Sequence, residues 1–410
     1  NDTVDRDIGY LQRKPLIVPL EDGSWGVLFG NGYGGNRSDP SLYILDAFTG
    51  EVLKKITADA GNPASTVTSI SDWICETTGL TCALRLDPFN GLGQITAIDK
   101  NGDGRVDTVY GADLQGNLWK FDLSGNNRAA WGVAYSGEPL FTAEVDGERQ
   151  SITGGIRVAA GPGAGVMVYF GTGRYMYSTD NTVPESPQMQ SLYGIYDNWS
   201  SAVPYTSGSG GRSALGGQSI TGQVSNEDGQ VVRDLSRNVV AYYGSGAKRG
   251  WYLDLAVDAG GGAEADSDLQ AVGERFIATP RIQSGRVFFT TYTPLEDSCS
   301  PGGLNFAYGL DLLSGAGALS DIRVSGNETP ACTGGSCGAV AIGTEGSDGE
   351  ISAQPPVTGT GVVAINPIRQ VDPTCAGGSC ATFEQCEVVI YPGAFVLPRP
   401  CGRQSWRQLK

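Results

Sequence analysis

The 410-residue sequence contains no histidine. This absence excludes Ser-His-Asp and Cys-His catalysis, zinc sites with histidine ligands and proton transfer by imidazole. Charged residues make up only 18% of the chain, and their balance gives a formal net charge of −16. Because such a charge repels phosphate polymers and anionic lipid surfaces, nucleic acid is not an expected partner.

Long apolar runs are also missing. No stretch approaches the roughly 20 apolar residues of a membrane helix, so we expect a soluble chain without a transmembrane segment. The opening residues, NDTVDRDIGYLQRKPLIVPL, show neither the basic nor the apolar region of a signal peptide. They read as mature sequence, and we expect a fragment of a longer exported protein.

The nine cysteines are grouped in a way that favours disulfides. CTGGSC and CAGGSC are near copies with Gly-Gly between the thiols, and CETTGLTC is a third short loop. A zinc site is the alternative, but tetrahedral zinc knuckles usually come as two paired CxxC units. Disulfides predict oxidising surroundings, and the odd number leaves one thiol over, for which Cys299 is the candidate because no cysteine lies near it.

Glycine is abundant, with 61 residues, and it bounds short runs rich in Val, Tyr and Phe such as VLFG, VMVYFG and RVFFTTY. Runs of this kind predict strands separated by tight turns. Two kinds of run recur. One kind begins at Val27, Val168 and Val287, and the other closes on an aspartate, at Asp46, Asp122, Asp197, Asp254 and Asp311. One run of each kind together predicts two neighbouring strands of a recurring sheet. The aspartates are expected to accept hydrogen bonds from turn amides.

The predicted fold is all-β: a modified, irregular β-propeller with long loop insertions, in one domain over residues 1–410. A set of β-sandwiches is the second choice. The aspartates are spaced more widely than the about 40 to 50 residues of a minimal blade, so insertions are needed. They are expected near residues 55–93, as a short helical segment, near 200–247, as a Ser- and Gly-rich surface loop, and near 316–386, as a cysteine-rich loop region.

The segment AIDKNGDGRVDTVYG carries the clearest chemical pattern. Asp99, Asn101, Asp103 and Asp107 alternate around Gly104, with the backbone of Arg105 at the seventh position. Calcium takes six to eight oxygen ligands, which a tight loop supplies when alternate side chains point inward and glycine permits the turn. The sequence therefore predicts a Ca²⁺ site, with the Arg105 carbonyl oxygen and water completing the shell. An Asx-rich turn without a metal is the alternative.

This loop differs from an EF-hand at its twelfth position, where Tyr110 replaces the bidentate Glu. The flanking runs GQITAI and TVYGAD are β-like, so the loop should join two strands without a helix-loop-helix. Lacking that Glu, the loop should bind calcium with a dissociation constant between about 10⁻⁶ and 10⁻³ M.

The sequence resembles the C-terminal domain of the PilY/PilC family of type IV pilus tip-associated adhesins. The resemblance rests on AIDKNGDGRVDTVYGADLQGNLWKFDL together with VLFGNGYGG, VYFGTGRYMY, GERFIATPRI, CSPGGLNFAYGLDLLSG and GRQSWRQL. It implies a calcium-binding propeller at the pilus tip or outer membrane, exported through the periplasm. It also implies that the protein supports pilus assembly with pilins or minor pilins, and that metal occupancy regulates extension against retraction, hence twitching motility and attachment.

Two other functions compete with this interpretation. Propeller enzymes with a quinone cofactor also use an acidic turn, a Gly and a Trp, as ADLQGNLW does, but an adjacent Cys-Cys pair found in many of them is missing here. An extracellular adhesin or glycan-binding module is the other, with Trp73, Trp199 and Trp251 as candidates for stacking on sugars or other surface ligands. Most aromatics in strand contexts are nevertheless expected to be buried by packing. No catalytic residue is predicted.

Overall fold

A computed structural model describes most of the chain. The described residues are 5, 7–11, 14–35, 39–58, 90–199, 211–225, 230–258, 269–295, 302–320, 323–324, 335–342, 354–358, 361–370, 383–391 and 395–400. They divide between two compact units, one built from residues 1–156 and 199–214 and the other from 157–198 and 215–410. That residues 1–410 form one propeller domain stays a prediction.

The described residues form strands and no α-helix, which confirms the all-β prediction. Four 3₁₀ segments occur among them, at Arg128–Ala130, Tyr135–Gly137, Ser178–Asn181 and Gly211–Ala214. No helix in this part of the chain is both long and apolar enough to span a membrane.

The first unit begins with a four-stranded antiparallel sheet in the order β1-β2-β3-β4. Its strands are β1 (Leu16–Pro19), β2 (Trp25–Gly30), β3 (Ser41–Asp46) and β4 (Val52–Thr57). Short turns join β1 to β2 and β3 to β4, so neighbours in sequence are neighbours in the sheet, as in a propeller blade.

A second sheet of this unit has five strands in the order β5-β6-β7-β8, with β9 also paired to β7. The strands are β5 (Leu92–Ile98), β6 (Thr108–Asp113), β7 (Asn117–Asp122), β8 (Gly132–Val133) and β9 (Phe141–Thr142). A small hairpin follows, β10 (Glu144–Val145) with β11 (Glu148–Arg149). Every residue of β6 is buried, because side chains from both sheets, among them Leu28, Ile44 and Trp119, form one apolar cluster.

The second unit contains a five-stranded sheet in the order β12-β13-β14-β18-β15. The strands are β12 (Arg157–Ala160), β13 (Val166–Gly171), β14 (Ser191–Asp197), β15 (Gly216–Gln218) and β18 (Gly250–Asp254). Trp251 in β18 is fully buried, with its ring centroid 6.1 Å from that of Tyr169 and 6.4 Å from that of Phe289. Aromatic packing therefore forms the centre of this core.

A seven-stranded sheet completes that core, in the order β16-β17-β26-β24-β23-β21 with β22 also paired to β23. The strands are β16 (Ile220–Ser225), β17 (Val231–Leu235), β21 (Arg275–Phe276), β22 (Arg281–Gln283), β23 (Arg286–Pro294), β24 (Gly303–Asp311) and β26 (Cys337–Ile342). The remaining strands are β19 (Ala256–Asp258) with β20 (Leu269–Ala271), and a sheet of β25 (Arg323–Val324), β29 (Phe395–Pro400), β28 (Phe383–Tyr391) and β27 (Gly361–Gln370).

The predicted repeat of paired strands is confirmed in three places. β2 pairs with β3, β13 with β14, and β23 with β24, each antiparallel. At the strand ends, Asp46, Asp122 and Asp311 accept hydrogen bonds from amides of the following turn. Asp254 instead accepts from the Ser191 hydroxyl at 2.6 Å.

Two of the predicted insertions contain regular structure. The prediction of a surface loop over residues 200–247 is wrong for the part that holds β15, β16 and β17, because Leu215, Ile220 and Leu235 are buried there. Likewise, residues 316–386 include β26 between β17 and β24. The predicted helical segment lies outside the described residues, since those of 55–93 that are described, 55–58 and 90–93, lie in or beside β4 and β5.

Cys337 is fully buried in β26. The side chains of the other eight cysteines lie outside the described residues. The disulfide pairs, the zinc alternative and the leftover Cys299 therefore stay predictions.

Candidate metal loop

Residues 99–107 form the loop between β5 and β6. The last strand pair before the loop is Ile98 with Thr108, and the Asp107 amide donates to the Ile98 carbonyl at 3.2 Å. Both ends of the loop are therefore held by the antiparallel ladder. This confirms the predicted strand–loop–strand arrangement, without a helix-loop-helix.

Two glycines give the loop its tight curvature. Gly102 and Gly104 have φ values of 77° and 92°, in the left-handed region that side chains with a Cβ rarely adopt. Gly104 occupies the sixth position of the pattern, where calcium loops make their sharp turn. Its backbone conformation is thus the one that the sequence pattern requires.

The predicted ligand side chains turn towards the amides of the loop itself. Asp99 accepts from the Gly102 amide at 2.6 Å and from the Gly104 amide at 2.7 Å. Asn101 Oδ1 accepts from the Asp103 amide, and Asp103 Oδ1 from the Arg105 amide, both at 2.8 Å. These bonds fix the path of the backbone, and each acceptor oxygen keeps a second lone pair.

Asp107 differs from the others because it is only 4% exposed. Its Oδ2 accepts from the amides of Lys100, at 3.0 Å, and Asn101, at 3.2 Å, and its Oδ1 accepts from the Thr108 hydroxyl at 2.8 Å. Burial raises the pKa of the Asp107 carboxyl, the nearby Asp99 charge acts in the same direction, and the hydrogen bonds oppose the rise. The loop thus carries like charges close together, one of them desolvated.

The oxygen donors of this loop fit a hard divalent cation in kind and in order. In the described part of the chain, however, no three side chains of His, Cys, Asp or Glu converge closely enough to hold a metal ion. The structure brings Asp99, Asn101, Asp103 and Asp107 into one loop, but the carboxylates point to separate amides. Binding an ion would require these oxygens to come closer together.

The turn between β1 and β2 lies against this loop. The Val106 amide donates to the Pro19 carbonyl at 2.9 Å. Asn101 Nδ2 donates to Glu21 Oε1 at 3.1 Å, and the Arg105 guanidinium donates to the Glu21 carbonyl at 3.3 Å. The contact of Glu21 with the loop was not predicted, because Glu21 lies 80 positions before Asn101. The surrounding sequence EDGS indicates only a hairpin turn.

The three tryptophans named as candidates for sugar stacking differ in burial and contacts. Trp251 is fully buried, as expected for most aromatics in strands, and is not an exposed binding residue. The Trp199 ring has the ammonium groups of Lys100 and Lys120 each 4.6 Å from its centroid, a cation–π geometry. Trp73 lies outside the described residues.

A protein-family profile described as the PilY1 beta-propeller domain matches residues 76–228. A type IV pilus biogenesis factor PilY1 homolog of Xylella fastidiosa is 38% identical over 100% of this chain and 26% of its own length. These matches support a C-terminal domain of the PilY/PilC family. Another relative in the family, type IV pilus biogenesis factor PilY1 of Pseudomonas aeruginosa, is 28% identical over 99% of this chain and 33% of its own length.

A solved structure within the family supports the fold. The crystal structure of the Pseudomonas aeruginosa PilY1 C-terminal domain aligns with a TM-score of 0.63 at 22% identity, over 97% of this chain and 74% of that chain. Together with the family profile, this confirms the all-β propeller-like fold over the alternative of β-sandwiches. The chain spans about a quarter to a third of the length of the curated relatives it matches.

Proposed function

We propose that this chain is the calcium-binding propeller of a type IV pilus-associated protein of the cell surface or outer membrane. In this proposal it promotes pilus assembly, and calcium occupancy regulates extension against retraction. Relatives that cover the whole chain are named type IV pilus biogenesis factors. The observation that carries the calcium part is the oxygen-rich loop from Asp99 to Asp107, which is held between two strands at both ends.

The ligands in this proposal are the side chains of Asp99, Asn101, Asp103 and Asp107 and the carbonyl oxygen of Arg105, with water completing the shell. Three carboxylates around a dication leave a local charge of about −1, whereas three carboxylates alone repel one another. An ion would therefore favour the compact loop, and its loss would loosen the loop and any surface that the loop supports.

Calorimetry on the 410-residue chain tests calcium binding. The wild type should bind one ion with a dissociation constant between about 10⁻⁶ and 10⁻³ M, and Asp103→Ala should abolish the heat. Asp46→Ala is the matched control, since Asp46 also caps a turn through its Oδ1 but lies at the end of β3. Equal calcium heats for wild type and Asp103→Ala would reject the site.

The regulatory part needs the full-length protein in cells. Asp107→Ala should reduce surface pili while the retraction motor is active, and pili should return when the motor is disabled. That outcome would place the defect in the balance between assembly and retraction. If pili stay absent without the motor, the ion instead serves folding or assembly, and the proposed regulation fails.

Attachment to a surface ligand is a second candidate function, and exposed aromatic side chains favour it. Trp25 is 47% exposed and Phe48 is 84% exposed, and the two lie close in the fold because the Ala47 amide donates to the Trp25 carbonyl. Exposed large aromatics are typical of binding surfaces. A glycan array with wild type and Trp25→Ala would test this function separately from pilus assembly.

We infer a non-enzymatic role, since the relatives are named as pilus biogenesis factors. The competing hypothesis of a quinone-dependent dehydrogenase is tested directly. Purified protein with calcium, the quinone and an electron acceptor should show no turnover of alcohols or sugars above the protein-free rate.

A further inference from the structure

The sequence contains three Asn-Gly pairs, and the fold places them in different surroundings. They are Asn31 with Gly32, Asn90 with Gly91, and Asn101 with Gly102. In such a pair the backbone nitrogen of the glycine can attack the side-chain amide carbon of the asparagine, because glycine has no side chain that obstructs the approach. The reaction also requires that the asparagine leaves its contacts and that a five-membered ring finds space.

The first two asparagines are locked inside the first unit. Asn31 is 0% exposed and Asn90 is 1% exposed. Asn31 Oδ1 accepts from the amides of Ser41, at 2.9 Å, and Leu92, at 2.8 Å. Asn90 Oδ1 accepts from the Leu114 amide at 2.9 Å. Either side chain can react only after the surrounding strands open, and such opening of a packed region costs free energy.

The third pair lies at the surface of the loop between β5 and β6. Asn101 and Gly102 are both exposed, and a Cβ at Gly102 would meet no atom within 4 Å, so a ring has space. The Gly102 amide donates to Asp99 of the same loop, and breaking this bond opens no strand. Asn101 Oδ1 accepts from the Asp103 amide at 2.8 Å. A backbone N–H in this place stabilises the negative charge that develops on the oxygen during attack.

We propose that Asn101 is a site of spontaneous deamidation and that the fold protects Asn31 and Asn90. The Gly102 nitrogen loses its proton to solvent and forms a bond to Cγ of Asn101. The bond from Cγ to Nδ2 breaks, and the nitrogen leaves as ammonia after taking up a proton from water. Water then opens the cyclic imide to aspartate or isoaspartate. The net reaction consumes one water and releases one ammonia.

The products change the contacts of the loop. Asn101 Nδ2 donates to Glu21 Oε1 at 3.1 Å, but the carboxylate of the product has no hydrogen to donate and faces Glu21 with a like charge. The isoaspartate product also lengthens the loop backbone by one carbon. Deamidation should therefore release this contact between the loop and the turn that joins β1 to β2.

Peptide mapping by mass spectrometry tests the proposal on the 410-residue chain. The protein is incubated in water labelled with ¹⁸O, which marks carboxyl groups formed during the incubation, and a chelator makes the result independent of the proposed calcium site. In the folded chain, Asn101 should convert at least about 10-fold faster than Asn31 and Asn90. In guanidinium chloride, which removes the fold, the three should convert within about 3-fold of one another.

Two glycine variants separate the reacting pair from the loop as a whole. Gly102→Ala should slow conversion of Asn101 by about 10-fold, because the methyl group lies next to the attacking nitrogen. Gly104→Ala is the matched control, since Gly104 also has a positive φ and a Cβ there also meets no atom within 4 Å. It should keep the conversion of Asn101 within about 3-fold of wild type. Far-ultraviolet circular dichroism checks that both variants fold.

Three results would overturn the proposal. In the folded protein, Asn31 or Asn90 could convert as fast as Asn101. Asn101 could stay unmodified over a period in which the unfolded chain converts. Equal slowing by Gly102→Ala and Gly104→Ala would show that the conformation of the whole loop, and not the Asn-Gly pair, sets the rate.

Discussion

Single aspartates stabilise this chain in two different settings. At exposed strand ends, Asp46 and Asp122 accept hydrogen bonds from amides of the next turn. Asp113 is fully buried at the end of β6 and accepts five hydrogen bonds. The donors to Oδ1 are the amides of Gln115 and Asn117, and the donors to Oδ2 are the side chains of Asn90, Asn117 and Trp119.

Burial raises the pKa of the Asp113 carboxyl, and its hydrogen bonds oppose that rise. Removing the carboxylate would leave several buried donors without an acceptor. Asp113→Ala should therefore destabilise the fold by about 3–5 kcal/mol, whereas Asp122→Ala, at an exposed turn, should cost about 1 kcal/mol or less. Urea unfolding followed by Trp fluorescence compares the two. Similar losses for both variants would contradict the role assigned to Asp113.

Neighbouring strands of one sheet carry side chains whose sizes are matched. Within β14, Gly194 lies opposite Trp251 of β18, and the tryptophan ring covers the position where a side chain would project. A Cβ at Gly194 would lie 2.5 Å from the Cε2 and Nε1 atoms of that ring. Gly194 in the LYGIYD run therefore leaves room for the ring of Trp251 in the WYLD run.

Gly194→Ala should destabilise the second unit by about 1–3 kcal/mol, because the buried Trp251 ring has to move to admit the methyl group. Gly222→Ala in β16 is the control, since a Cβ there meets no atom within 4 Å. Thermal unfolding followed by near-ultraviolet circular dichroism measures both. An unchanged midpoint for Gly194→Ala would show that the ring has room to move.

On the scale of the whole molecule, buried tyrosines make the stability of this chain depend on pH in the alkaline range. Burial raises the pKa of several tyrosines, and it raises those of Tyr43 and Tyr292 to about 12. Unfolded tyrosine titrates near 10. Between about pH 10 and 12 the unfolded chain therefore releases protons that the folded chain keeps, so stability should fall as pH rises.

This alkaline loss is measurable as a decrease in the urea midpoint from pH 9 to pH 11.5. Tyr43→Phe should make the decrease smaller, because one tyrosine that holds its proton in the fold is removed. The matched control is Tyr10→Phe at a position that is 79% exposed, and it should leave the pH dependence as in the wild type. A midpoint independent of pH over this range would contradict the prediction.

Contacts between nearby residues could be predicted from the sequence. The loop from Asp99 to Asp107, the pairing of β2 with β3 and of β13 with β14, and the turn-capping role of Asp46 all involve residues close together in the chain. Their geometry follows from alternation, glycine placement and short side-chain hydrogen bonds, which residue order specifies.

Contacts between distant residues could not be predicted. Nothing in the sequence indicated that Glu21 would reach Asn101, or that Asn90 would bind Asp113. The same holds for the strands at Gly216–Gln218 and Cys337–Ile342, which lie in segments expected to be loops. A Ser- and Gly-rich segment has weak local preference, so the sheet edge that it meets decides its conformation.

The sequence by itself determined an all-β chain without histidine chemistry and the oxygen donors of one inter-strand loop, because these depend on composition and on spacing within a few residues. Only the tertiary structure decided which hairpin lies beside that loop and which aromatics are buried. The physical reason is that packing depends on which apolar surfaces exclude water together, and this involves residues far apart in the chain.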